Sequence, residues 1–221
     1  METICRLDRG AVQVIYNGVV DECFAARSAA PIAHPWLDGR CTVLIAVGRL
    51  VATKDFATLI RAFAQAARVR DLRLIILGEG PLRAELSLLA ASLGVAARLD
   101  MPGFVAHPLP FIWRSEALVL SFRFEGFGSV LAEALACGAQ TVSTDCPFGP
   151  AEILADGRFG RLTPVGDADS MAKAILLALD APIEPAILRA RGASFSIQAC
   201  AAAYLCLFDG LVRGSRRVWL R

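Results

Sequence analysis

The sequence has no long apolar run, no extended basic region and no C-x-x-C pair. A membrane-spanning helix needs about 18 consecutive apolar residues, and the longest candidate, residues 172–181, is interrupted by Lys173 and Asp180. The 23 Lys and Arg residues are scattered among 21 Asp and Glu residues, unlike the dense basic surface of a nucleic-acid-binding protein. Residues 1–10 contain no apolar block typical of a secretory signal. We expect a cytoplasmic location, no nucleic-acid partner and at most peripheral contact with the inner face of the membrane.

Charged residues are scarce, at 20%, whereas hydrophobic residues make up 56% of the 221 positions. A chain of this length and composition can bury a core of its own, which excludes intrinsic disorder. The hydrophobic surplus is explained either by an apolar face that meets a partner or by an alanine-rich core. The basic tail at residues 213–217 is interpreted as a solvated end, with weak membrane anchoring as the alternative.

Cysteine and histidine give no sign of a metal site. The seven cysteines form an odd set without paired spacing, which favours reduced thiols in the core over disulfides or metal ligands. The two histidines, His34 and His107, fall in no recognisable motif, and we expect loop or surface positions for both. Asp167 and Asp169 form a D-x-D pair, but Asp167 precedes a helical pattern and is expected to cap that helix. We therefore predict no metal and no other cofactor.

From residue 41 onward, short apolar runs alternate with segments of helical period, which is typical of a parallel sheet with crossover helices. Phe56, Ile60 and Phe63, for example, recur at the spacing of one helix face. We predict an α/β fold with a Rossmann-like open parallel sheet of about six strands and helices on both faces. The predicted strands are 41–47, 72–77, 98–101, 117–121, 140–143 and 159–163, and the predicted helices are 55–69, 80–92, 128–137, 167–179, 184–191 and 196–210.

The first forty residues do not follow this alternation. Val12 to Ile15 is predicted as a strand that ends at the turn signal Asn17-Gly18, and a connector containing proline and glycine follows. We interpret residues 1–40 as the remnant of an interdomain strand and connector, residues 41–182 as the Rossmann-like domain, and residues 183–221 as carboxy-terminal helices that pack on it.

A loop with two glycines precedes the predicted helix at residues 128–137. Free N–H groups and the macrodipole make a helix start attractive to anions, and Gly126 and Gly128 allow a phosphate to approach the backbone. Glu133 follows Ser129 by four residues, so both lie on one helix face. A carboxylate there can accept hydrogen bonds from sugar hydroxyls beside a diphosphate. The alternative is an ordinary glycine turn followed by a solvated glutamate.

Two cations lie near the end of the first predicted strand. Arg49 follows the strand directly after Gly48, and Lys54 comes at the start of the next helix. Ligands of open α/β sheets bind at the carboxyl edge of the strands, and two cations there suit a diphosphate. A solvated helix start is the alternative interpretation.

Other sites are disfavoured. Gly78-Glu79-Gly80 is followed by Pro81 and lacks the acidic residue of a dinucleotide site. Ser121 and Ser129 have no histidine near them by motif, so a hydrolase triad is not predicted.

Five ordered blocks of sequence resemble the donor-binding half of family 4 retaining glycosyltransferases of the GT-B fold. The resemblance covers about residues 12 to 180 and is more specific than any single block. The blocks are Val47–Leu50 with Lys54, Leu77–Leu82, Pro102–Phe104, Glu125–Gly138 and Asp145–Leu154.

The resemblance implies a role for each matching position. Arg49 and Lys54 would hold the donor diphosphate, and Glu125 would lie near the transferred sugar; these three are the expected catalytic residues. Glu133 would bind the ribose hydroxyls, and residues 103–105 would flank the base. The implied donor-binding set is Gly48, Arg49, Lys54, Gly103, Phe104, Val105, Glu125, Gly126, Phe127, Gly128, Ser129, Val130 and Glu133.

The sequence departs from the family pattern in two places. Asp55 stands where a glycine is common, and residues 139–142 lack the usual proline. The matching blocks cover only the donor half of a GT-B enzyme, so we expect the amino-terminal acceptor half to lie outside this sequence. Three hypotheses follow. The chain binds a UDP or GDP sugar and transfers the sugar with retention to a polysaccharide or lipid, with the acceptor half supplied by a separate domain, chain or second copy. Alternatively, it binds the nucleotide sugar without transfer, or it is a non-enzymatic phosphate-binding domain.

Overall fold

A computed structural model describes residues 12–218, with side chains described to residue 212. Six parallel strands form one sheet in the order β3-β2-β1-β4-β5-β6. The predicted α/β class and strand number are therefore confirmed. The strands are β1 (Thr42–Val47), β2 (Leu72–Leu77), β3 (Leu99–Gly103), β4 (Ala117–Leu120), β5 (Gln140–Thr144) and β6 (Arg161–Thr163).

Nine α-helices lie within the described residues. The six predicted from periodicity are present, with ends shifted by a few residues, and α9 extends further than predicted. Three five-residue helices, α1, α4 and α6, were not predicted because they are too short to show a helical period. The helices are α1 (Phe24–Ser28), α2 (Phe56–Val69), α3 (Arg83–Ser92), α4 (Leu109–Trp113), α5 (Ser129–Cys137), α6 (Pro150–Leu154), α7 (Ala168–Asp180), α8 (Pro185–Ala193) and α9 (Ile197–Val218).

The core consists of two layers, one on each face of the sheet. Alternate β1 side chains divide between them, since Leu44 and Ala46 pack with α2, α3 and α7, whereas Val43 and Ile45 pack with α1, α4, α5 and α8. Alternation of this kind follows from the two-residue period of a strand, and burial on both faces is why the strands are continuous apolar runs.

The strand order reverses direction at β1. β1 pairs with β2 on one side and, through Leu44 and Ile45, with β4 on the other. The connections from these strands therefore leave on opposite sides of the sheet and open a crevice at its carboxyl edge, where open α/β sheets bind their ligands.

The predicted strand at Val12–Ile15 is wrong. Residues 12–19 adopt no regular secondary structure, and Val14 is exposed. A strand requires a neighbouring strand for its backbone hydrogen bonds. This segment instead meets the start of α9, where Val20 forms an isolated bridge with Ser196.

Helix α9 presents an apolar stripe to solvent. Its exposed side chains recur at steps of one, three and four residues, which places them along one side of the helix: Tyr204, Leu205, Phe208, Leu211 and Val212. Across residues 12–218, no helix is both long enough and apolar enough to span a bilayer.

The expectation of core thiols holds for only part of the cysteine set. Cys137 and Cys146 are buried, and burial raises the pKa of the Cys137 thiol to about 11. Cys23 and Cys206 are exposed. His34 lies in a loop as expected, but its side chain is largely buried and pairs with Asp100 at 2.9 Å.

Candidate functional site

The end of β1 is packed tightly against the end of β2. The Gly48 N–H donates to the Leu77 carbonyl at 2.9 Å, and a β-carbon on Gly78 would collide with the Gly48 carbonyl oxygen. The exposed Arg49 follows at this edge and lines a cavity of about 480 Å³ together with Phe104 and others. The tight backbone contact therefore fixes where Arg49 leaves the sheet.

The loop after β3 supplies the other wall of this cavity. Gly103 has a positive φ of 98°, which glycine tolerates, and its carbonyl accepts from the Gly78 N–H at 2.8 Å. Phe104 is 78% exposed and Val105 is half-buried. Both side chains line the cavity together with Arg49. The cavity therefore combines an apolar wall with a cation.

Lys54 and Glu125 form a partly buried ion pair. The Lys54 Nζ donates to Glu125 Oε2 at 2.6 Å, and only 19% and 22% of the two side chains is exposed. The ammonium also lies 3.5 Å from the centroid of the Phe122 ring, a favourable cation–π distance. The Ser121 hydroxyl donates to the Lys54 carbonyl at 2.8 Å and fixes the backbone of the lysine.

The glycine loop leads directly into α5. The Gly126 N–H donates to Glu125 Oε1 at 3.0 Å, and Gly128 adopts a left-handed φ of 84° immediately before Ser129, the first residue of the helix. Gly128 has no side chain to cap the helix, so N–H groups of the first turn face outward and attract an anion.

Glu133 lines a different cavity, of about 420 Å³. Arg27 and His107 contribute polar groups to its walls, and Ala106 and Pro108 are among its apolar residues. Burial raises the pKa of Glu133 to about 7, and the charge of Arg27 opposes the shift. A carboxyl group at this pKa titrates near neutral pH, and its protonation controls whether it donates or only accepts hydrogen bonds.

Asp55 occupies the position where the sequence departs from a common glycine. Its φ of 45° is left-handed, a conformation that glycine adopts freely and aspartate tolerates. The carboxylate accepts from the Thr58 N–H at 3.4 Å to cap α2, and it also pairs with Arg123 at 3.0 Å. The cap and the ion pair compensate for the strain. Asp167 caps α7 as predicted, with its side chain accepting from the Ser170 N–H at 2.9 Å.

The structure places the predicted site residues in separate groups, at the end of β3 and on the segments that follow β1, β3 and β4. Lys54 contacts Glu125 beside the glycine loop, Arg49 shares a cavity with Phe104, and Glu133 lines the neighbouring cavity. Residues 126–130 form the loop and the start of α5.

Sequence reasoning missed several groups near these residues. Phe122 lies beneath Lys54, and Arg27 and His107 line the Glu133 cavity. Tyr16 packs on Phe127 of the glycine loop. For Phe122 a signal existed, because it continues the alternation of β4 toward the carboxyl edge. Arg27 and Tyr16 lie in the segment before β1. The local sequence of this segment does not indicate where it packs on the domain.

The fold and the site define an α/β domain that offers cations, a helix start and a half-buried carboxyl group at the crevice beside β1 and β4. Residues 37–195 match the family described as "Glycosyl transferases group 1". The chain belongs to this family.

Curated relatives share about a third of their aligned residues with this chain. N-acetylgalactosamine-N,N'-diacetylbacillosaminyl-diphospho-undecaprenol 4-alpha-N-acetylgalactosaminyltransferase of Campylobacter jejuni is 33% identical over 168 residues, or 76% of this chain and 44% of the relative. Lipopolysaccharide core biosynthesis glycosyltransferase LpsE of Rhizobium meliloti is 37% identical over 133 residues, or 60% of this chain and 38% of the relative. The chain spans about half the length of the curated relatives it matches, or less.

Solved structures share the fold. A glycosyltransferase from Rickettsia africae superposes with a TM-score of 0.80 at 15% identity, covering 94% of this chain and 59% of that one. Anabaena HepE, solved in complex with UDP, superposes with a TM-score of 0.76 at 20% identity, covering 94% of this chain and 60% of that one. The Rossmann-like domain is therefore of the GT-B type found in glycosyltransferases.

Proposed function

We propose that this chain is the donor-binding half of a family 4 glycosyltransferase, which binds a nucleotide diphosphate sugar and transfers the sugar with retention. The observation that carries the proposal is the Lys54–Glu125 pair beside the glycine loop that opens α5. It combines a cation, a carboxylate and free helix N–H groups within one small region of the crevice. A diphosphate joined to a polyhydroxylated ring is a ligand that uses all three.

Each part of the donor has a proposed partner. Arg49, Lys54 and the first turn of α5 bind the diphosphate, since cations and helix N–H groups both favour phosphate oxygens. Glu133 binds the ribose hydroxyls from its half-buried position. The nucleobase lies against residues 103–105, where Phe104 offers an exposed ring.

The proposed reaction breaks the bond between the anomeric carbon and the diphosphate. Negative charge develops on the departing phosphate oxygen, and Arg49 and Lys54 stabilise it from preorganised positions. Glu125 orients the transferred sugar while the acceptor hydroxyl attacks from the face that the leaving group vacates and passes its proton to the departing phosphate oxygen. The two cations supply this charge without a metal ion, so we propose that no metal cofactor takes part.

The relatives suggest the donor and the acceptor. HepE was solved with UDP and with UDP-glucose, which favours a uridine diphosphate sugar, with a GDP sugar as the alternative. The named relatives act in lipopolysaccharide core biosynthesis or on a diphospho-undecaprenol-linked sugar. We propose a polysaccharide or lipid-linked acceptor, and a cytoplasmic enzyme with at most peripheral membrane contact.

An acceptor-binding partner is part of the proposal. The two curated relatives are more than twice the length that this chain matches, and α9 exposes the apolar stripe from Tyr204 to Val212. We propose that a separate domain, chain or second copy supplies the acceptor half and covers this stripe. The molecular mass in solution, measured by light scattering alone and with candidate partners, tests this contact.

Isothermal titration calorimetry with UDP, GDP and UDP-glucose tests the donor site. The sequence contains two lysines, which provide a matched pair of variants. Lys54→Met should weaken UDP binding by about 10- to 100-fold, because a charge-assisted phosphate contact is lost. Lys173→Met removes an exposed lysine of α7 and should leave binding unchanged.

Absence of binding to every nucleoside diphosphate would overturn the donor-site proposal. Binding of a nucleotide sugar without transfer, in the presence of an acceptor half, would instead favour a binding domain that has lost catalysis.

A further inference from the structure

The amino-terminal segment is fixed against the start of α9. The N–H groups of Val19 and Val20 donate to the Phe195 carbonyl at 2.8 and 3.2 Å, and the Ile197 N–H donates to the Val20 carbonyl at 2.8 Å. Gly18 lies so close to Ile197 that a β-carbon would be 2.6 Å from its Cα. The residues just before this anchor therefore have a defined position.

Tyr16 reaches from this anchor to the glycine loop. Its ring stacks on Phe127 with centroids 5.9 Å apart, and it meets the edge of Phe195 at 5.8 Å. Phe127 and Phe195 are also in edge contact at 5.8 Å, so the three rings form a closed triangle. The Tyr16 hydroxyl donates to Glu152 Oε2 at 2.8 Å.

The surroundings keep Tyr16 in this position. The hydrogen bond to Glu152 raises the pKa of the Tyr16 hydroxyl, which therefore stays a neutral donor. Arg191 fixes the backbone of Glu152, the acceptor of the Tyr16 hydrogen bond, since its guanidinium donates to the carbonyls of Glu152 and Ile153 at 2.7 and 2.9 Å.

Phe127 is the residue through which Tyr16 can affect the donor site. It lies between Gly126 and Gly128, two residues with few conformational restraints of their own. Its carbonyl packs against Gly149 so closely that a β-carbon there would collide with it. The Phe127 backbone is therefore confined by Gly149, and its ring by Tyr16 and Phe195, immediately before the chain enters α5.

We propose that Tyr16 is a positioning residue of the donor site. By holding Phe127, it keeps residues 126–129 in the conformation that receives the diphosphate and the sugar. The inference rests on the proposed function and extends the site to a residue outside the family match, which covers residues 37–195. Because Tyr16 acts on the glycine loop, it should affect the diphosphate and sugar more than the nucleoside.

Calorimetry with UMP, UDP and UDP-glucose separates these two parts of the ligand. Tyr16→Ala should weaken UDP-glucose binding by about two- to twelvefold, the range of one aromatic pair, while UMP binding changes by less than about twofold. Tyr16→Phe keeps the stacked ring and should restore most of the affinity. Tyr204→Ala, which removes the other tyrosine of the chain, should bind all three ligands normally. Tyr16→Leu replaces Tyr16→Ala if the alanine variant does not fold.

The outcomes distinguish the inference from the function on which it rests. Equal weakening of UMP and UDP-glucose would show that Tyr16 only supports the fold, and unchanged binding would show that it does not act on the site; either result overturns the inference alone. Failure of the unmodified protein to bind any of the three ligands overturns the proposed function and the inference together.

Discussion

Lys54 and Glu125 lie 71 residues apart in the sequence, yet their side chains meet at 2.6 Å. The pair neutralises two charges at the place where a diphosphate is proposed to bind. Its formation in the free protein means that the carboxylate competes with phosphate for the ammonium group.

This competition gives a prediction for Glu125→Gln. The change removes a negative charge and frees Lys54, so binding of UDP should tighten by about two- to tenfold. The same change should abolish sugar transfer once an acceptor half is present. Calorimetry at low and high salt measures the first effect, and salt should reduce the difference between the two proteins. Weaker UDP binding by the variant would contradict the proposed role of Glu125.

Glu133→Gln should stabilise the protein at alkaline pH. Because the folded state holds the Glu133 proton up to a pKa of about 7, stability decreases as pH rises from the ordinary carboxyl pKa to about 7 and is constant above it. The stability of the variant does not decrease in this way. The variant should therefore be about 1–3 kcal/mol more stable than the unmodified protein at pH 8, and the two should be equally stable near pH 4. Urea unfolding across this range measures the difference.

The same variant should bind UDP more weakly at pH 8, by about five- to 100-fold, since a charged acceptor for the ribose hydroxyls is lost. A gain in stability together with a loss of affinity indicates a residue retained for binding. If the variant shows neither a gain in stability nor a loss of affinity for UDP, Glu133 is an ordinary solvated side chain.

Asp55 provides a test of the left-handed backbone position. Asp55→Ala loses the helix cap and the ion pair with Arg123, and alanine lacks the polar side chain that lets aspartate tolerate a left-handed conformation, so we expect a loss of about 2–3 kcal/mol. Asp55→Gly loses the cap but not the conformational fit, and should cost about 1 kcal/mol or less. Thermal or urea unfolding gives the ranking, and a glycine variant less stable than the alanine variant would contradict the strain argument.

Gly78→Ala should disrupt the carboxyl edge of the sheet. The new methyl group would collide with the Gly48 carbonyl, at a φ of 149° that other residues avoid, and the expected loss is about 3 kcal/mol or more. Gly210→Ala is the matched control, because the position is helical with open space around it, and alanine there should add about 0.5–1 kcal/mol. The two unfolding midpoints should move in opposite directions.

Local pattern predicted much of this molecule. The buried strands and the longer helices follow from periodicity, and the start of α7 at Ala168 follows from Asp167, which caps it. The strand at Val12–Ile15 was wrong because branched apolar residues indicate an extended chain but not a partner for it.

The contacts within the site required the tertiary structure. Sequence placed Lys54 and Glu125 near the carboxyl edge, but their ion pair depends on β4 lying beside β1, which is a property of the whole sheet. The raised pKa of Glu133 likewise depends on the walls of a cavity, to which Arg27 contributes from a distant part of the sequence.

The strand order has a consequence for how the protein folds. The pairing of β1 with β4 joins strands that are separated in the sequence by β2 and β3, and such non-local pairings slow folding. A ligand that bridges the ends of β1 and β4 would therefore bind only after this late step. Added nucleotide should then slow unfolding and raise the melting temperature of the entire sheet with the logarithm of its free concentration, so that a binding assay would also report the fraction of correctly assembled molecules.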